Sequence, residues 1–148
     1  MYRSPSSPFA RGCIALEILL SVGALGGGAA LMLGPSGQII PLPLSALRGS
    51  PFDTYFVPGL VLFVVLGIGP VLAAVLSWLG HPLAPLASVT VGVALLVWLA
   101  AEIAIIGYTN DPPLQPFYIV MGAGITLLGL AWLRSARSTP LGRGPVGA

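Results

Sequence analysis

Hydrophobic positions in this chain run together rather than alternate. Four stretches, 13–33, 55–79, 84–107 and 114–133, are almost continuously apolar. Each reaches the ~20 residues that a helix needs to cross a hydrocarbon core. A lipid-facing strand would alternate apolar and polar residues, and these runs do not. Backbone groups in lipid must find their partners within the segment, so the runs predict helices. The fold expected is all-α: a polytopic membrane protein with four transmembrane helices in an up-down bundle. The first run follows arginines and could pass for a secretion signal. It is long for one and is broken early by Glu17, so it is read as a retained helix.

The segments between and around the runs have their own chemistry. Residues 34–54 form an apolar connection in which Pro41 and Pro43 forbid a regular helix at the start. PLSAL allows one helical turn, ended by Gly49, and the whole connection is expected to fold over the bundle end. The tails 1–12 and 134–148, rich in Pro, Gly, Ser and Arg, are expected to be flexible. Pro70 lies deep in the second run, behind Gly67 and Gly69. It removes a helical hydrogen bond there, so a bend and a freed carbonyl at Leu66 are expected.

Composition places these helices in a membrane. Only 7% of the 148 residues are charged, and the mean hydropathy is +0.99. Soluble domains carry about 25% charged residues. The net charge of +2 comes from six arginines and four acids, too sparse for a nucleic-acid footprint. Arginine without lysine suits a GC-rich bacterial genome. Arg3, Arg11, Arg134, Arg137 and Arg143 flank the membrane domain, and only Arg48 lies in a connection. The positive-inside rule then puts both termini in the cytoplasm of a bacterium, with the protein in its inner membrane.

Few residues offer chemistry. One cysteine, Cys13, and one histidine, His81, exclude an internal disulfide, a CxxC pair and a histidine cluster within one chain. No metal ligand set, cofactor site or catalytic residue is assigned. The candidate polar positions are Glu102, Glu17 and Arg48. Glu102 sits in the apolar VWLAAEIAIIGY, about 7.5 Å below the expected helix end at ~1.5 Å per residue. Arg48 is the expected partner, with Gln38, Gln115 or a tyrosine hydroxyl as substitutes. Glu17, about 6 Å inside a helix starting at Cys13 at ~1.5 Å per residue, is expected to snorkel to the boundary and meet Arg11, Arg134 or Arg137. Gly23 and Gly27 form a GxxxG pair, read with Pro70 and Trp98 as helix packing. Tyr55, Tyr108 and Tyr118 read as an interfacial aromatic belt.

The stretches SPFDTYFVPGLVLFVVLGIGP at 50–70, WLAAEIAIIG at 98–107 and LQPFYIVMGAGITLLGL at 114–130 resemble a group of small bacterial four-helix membrane proteins. That resemblance implies fold and location only, with no activity and no catalytic residue. The expected function is therefore that of a small membrane subunit without catalysis, accessory or scaffold-like. Its company would be the lipid bilayer and either further copies of itself or another membrane protein. The alternative is a protomer of a small oligomeric transporter or channel, with Glu102 or Glu17 as the coupling acid.

Overall fold

The computed structural model describes residues 7–110 and 112–138. Four long helices make up the fold: α1 (Pro8–Leu33), α2 (Phe56–Trp78), α3 (Ala84–Ile106) and α4 (Leu114–Arg137). All four are long and apolar enough to cross a membrane. Sequential helices are neighbours, and α4 closes the ring against α1. Contacts across the diagonals are few between α1 and α3, and absent between α2 and α4 among the described residues. The centre is filled by Leu20 and Ala24 of α1, Leu66 and Ala73 of α2, Val91, Leu95 and Leu99 of α3, and Met121 and Ile125 of α4.

Two helix ends differ from the apolar runs, and both differences matter for the polar sites. α1 begins at Pro8 rather than Cys13, since proline fits the first turn, where its missing N–H costs nothing. α4 continues to Arg137 rather than stopping at Leu133, with Arg134 and Arg137 in a last turn whose dipole favours cations. Hydropathy marks where a helix is apolar, not where its backbone bonding stops. Residues 8–12 and 134–137 thus belong to helices. The remaining parts of the expected tails, 1–6 and 139–148, lie outside the described residues.

Pro70 is accommodated by a change of helical register. Residues Leu62–Ile68 of α2 are π-helical, and the N–H of Gly69 donates to the Val64 carbonyl. α-helical bonding resumes over Gly69–Trp78, with Pro70 in the first turn of that section. The Ser21 hydroxyl of α1 donates to the Gly67 carbonyl at 2.7 Å. The carbonyl that takes a partner from a neighbouring helix is thus Gly67, one residue past the expected Leu66. Hydroxyls of this kind let a spanning helix tolerate an interrupted ladder.

Glycines set the closest helix approaches. A Cβ on Gly28 would stand 2.8 Å from the Gly59 carbonyl oxygen and 2.8 Å from the Phe63 nitrogen, so α1 and α2 meet backbone to backbone. Gly92 and Gly122 do the same for α3 and α4.

The 34–55 connection folds over one bundle end. Leu44–Leu47 form a single 3-10 turn, and Gly49 follows at φ +88°, a conformation that favours glycine. Leu47 and Tyr55 pack on Leu31, with Ile40, Phe52 and Ile105 around them. The Tyr55 hydroxyl donates to the Pro43 carbonyl at 2.9 Å, and burial pushes its phenol above the usual tyrosine range. Tyr55 is therefore an internal tie rather than part of a belt.

Candidate functional site

Polar side chains gather at two depths in the bundle. The first group lies at the end covered by the 34–55 connection, where Gln115 joins the Glu102 side chain to two backbone groups. Its Nε2 donates to Glu102 Oε1 at 3.1 Å and to the Gly107 carbonyl at 3.2 Å. Its Oε1 accepts the Thr109 N–H at 2.8 Å. Gln115 is 2% exposed, so each bond replaces water that cannot reach it. One amide thus holds the end of α3, the connection after it and the first turn of α4. Arg48, the partner expected for Glu102, is exposed at the surface. The reason is distance along the chain. Glu102 and Gln115 flank one short turn, whereas Arg48 sits on a connection whose buried side is occupied by Leu47.

Beside this cluster lies a cavity of about 260 Å³, lined by Gly23, Gly27, Leu62, Trp98, Glu102 and Tyr118 among others. Both glycines border this space, and Gly23 also admits the Tyr118 side chain of α4 close against α1. A Cβ on Gly23 would meet the Tyr118 hydroxyl at 2.6 Å, and one on Gly27 would be in ordinary contact with Leu62 at 3.6 Å. Trp98 packs against the central core and also borders this space. Tyr118 lines the cavity and meets Phe117 edge to face, leaving only Tyr108 of the three tyrosines exposed.

The second group lies towards the opposite end. Glu17 is fully buried at 0% exposure, with Cys13 and Ser88 also at 0% and Ser77 at 1%. Ser88 of α3 stands beside both the Glu17 carboxyl and the Cys13 thiol. Its hydroxyl lacks hydrogen-bond geometry to either. Both Glu17 oxygens and the hydroxyls of Ser77 and Ser88 have no hydrogen-bond partner among the described residues. The expected snorkelling does not occur, because Glu17 lies on the buried face of α1 with Ala10, Cys13, Leu20 and Ala24 and turns into the bundle instead of out of it. Arg11, Arg134 and Arg137 are all exposed.

His81 is exposed in the turn between α2 and α3, where its Nδ1 accepts the Leu83 N–H at 3.2 Å. No group of three or more His, Cys, Asp or Glu side chains that could hold a metal comes together among the described residues. Ser21, Ser77 and Ser88 were not among the candidate polar positions of the sequence. Their signal, a hydroxyl inside an apolar run, was present but common. Comparison with protein-family models, curated proteins and solved structures finds no match.

Proposed function

We propose that this is a multi-pass protein of the bacterial inner membrane, with both termini cytoplasmic, that serves as an accessory or scaffold-like subunit without catalysis of its own. The observation that carries this reading is the outward face of the helices. Val22 of α1, Trp78 of α2, Val97 of α3 and Leu127 of α4 are 68%, 67%, 63% and 66% exposed. A bundle in water would bury such side chains, so every face calls for lipid or another protein. The arginine distribution supports the orientation. Glu102 is engaged by Gln115, which supports a structural use of that carboxylate.

Extraction from native membranes in mild detergent, followed by native mass spectrometry, tests the subunit role. A complex of defined stoichiometry with another protein is the expected result. A monodisperse single chain of 15.1 kDa, or a pure homo-oligomer, overturns it. The second outcome fits the competing reading, a transporter or channel protomer. That reading draws its support from the isolated Glu17 carboxyl rather than from Glu102.

A further inference from the structure

The serine and threonine hydroxyls on the described helices bond to backbone carbonyls, with two exceptions. Thr90 and Thr126 donate to the carbonyls of Leu86 and Gly122, four residues back on their own helices. Ser21 donates across to α2. Ser77 and Ser88 do neither, and Ser88 faces a carboxyl whose two oxygens are equally unengaged. A bare carboxylate sealed in an apolar bundle is too costly to persist, so something must neutralise it. Among the described residues no cationic side chain serves. On α1 itself, Arg11 is exposed and the other titratable neighbour is the neutral thiol of Cys13. α2 carries no charged side chain, and the His81 imidazole in the turn after it is exposed, with Nδ1 accepting the Leu83 N–H. α3 brings Ser88, and Glu102 lies fourteen residues further on, about 21 Å away at ~1.5 Å per residue. α4 brings Arg134 and Arg137, both exposed, at one end and Tyr118 at the other. The neutralising charge therefore comes from solution, and what arrives from solution can leave again.

We propose that Glu17, with the Ser88 hydroxyl beside it, is an intrabundle site for one exchangeable monovalent cation, either a proton or a sodium ion. One carboxylate balances one positive charge, and a divalent ion would leave an excess charge in the core. The donors are oxygens, which suit a proton or a hard alkali ion rather than a soft metal. This inference goes beyond the accessory role and does not rest on it. The site would stand even in a protein that assembles with nothing.

Dicyclohexylcarbodiimide tests it on the full chain in detergent, since this apolar reagent modifies carboxyls in their protonated form. Labelling is mapped to individual peptides by mass spectrometry from acid to alkaline pH, with sodium or choline as the salt. Label on Glu17 that declines as pH rises, equally in both salts, identifies a proton site. Label that sodium suppresses and choline does not, at fixed pH, identifies a sodium site. The Glu17→Gln variant should lose the label in both cases. Ser88→Ala, a small change expected to leave the fold intact, should weaken sodium protection about tenfold, or move the pH midpoint by a comparable factor in proton concentration. If Glu17 stays unlabelled throughout while Glu102 in the same sample is modified, the carboxyl is sealed and the proposal fails. It fails equally if labelling ignores both pH and sodium, or if Ser88→Ala changes nothing.

Discussion

At Gln115, one side chain satisfies a carboxylate, a carbonyl and a backbone N–H at once. Removing it takes one bond each from the half-buried Glu102 and from the exposed Gly107 and Thr109, where water can replace part of the loss. Gln115→Ala should therefore cost about 0.5–1.5 kcal/mol, the net worth of ordinary hydrogen bonds. Glu102→Gln keeps an oxygen that can accept the same bond, so its cost should stay below about 1 kcal/mol. Reversible unfolding in mixed micelles measures both. A larger loss in Glu102→Gln than in Gln115→Ala would mean that the charge, not the clamp, matters. Arg48→Gln should leave stability within about 0.5 kcal/mol, as for an exposed side chain away from special features. The sequence made Glu102 conspicuous because it lies among apolar residues. Its partner was harder to read, since choosing between Gln115 and Arg48 depends on how a turn and a long connection fold back.

Helix against helix, the glycines divide by what stands opposite them. Gly28→Ala would drive a methyl group against the Gly59 carbonyl and the Phe63 backbone, which cannot give way without separating α1 from α2. Overpacking of this kind should cost about 1–3 kcal/mol. Gly26→Ala meets nothing within 4 Å, so it should be neutral or stabilising by up to about 1 kcal/mol through helix propensity. Equal effects of the two variants on thermal unfolding would show that α1 does not sit on α2 in this way. The π-helical stretch gives a second prediction. Ser21→Ala leaves the Gly67 carbonyl without its cross-helix donor and should destabilise by about 0.5–1.5 kcal/mol. Both features lie beyond a linear reading. GxxxG spacing drew attention to Gly23 and Gly27, but whether such a pair closes a seam or borders a cavity depends on helix rotation. Pro70 announced a disturbance, and the backbone absorbed it as a change of register over Leu62–Ile68.

For the whole molecule, the decisive prediction is topological. If the four membrane-length helices all span, both termini share one side, and the arginine counts predict that this side is the cytoplasm. Reporter fusions at the C-terminus and within 34–54 should report opposite compartments. Matching signals would show that an even number of spans, not three, lies between the 34–54 connection and the C-terminus, and reversed signals would overturn the orientation.

By itself, the sequence determined the number of helices, their approximate spans and their apolar character. Transfer from water to hydrocarbon is close to a sum over residues, so it can be read in one dimension. The 3-10 turn before Gly49 was legible for a similar reason, since prolines and a glycine act on their immediate neighbours. Only the tertiary structure decided which polar groups meet. The rotation of α1 about its axis turns Glu17 into the core with Cys13 and Leu20. The rotation of α3 about its axis puts Ser88 beside that carboxyl, and the fold of a short turn gives Glu102 to Gln115. Hydrogen bonds fail over about an ångström, far less than the uncertainty of a helix end read from hydropathy. Partner choice is therefore fixed by packing, after composition has already placed the helices.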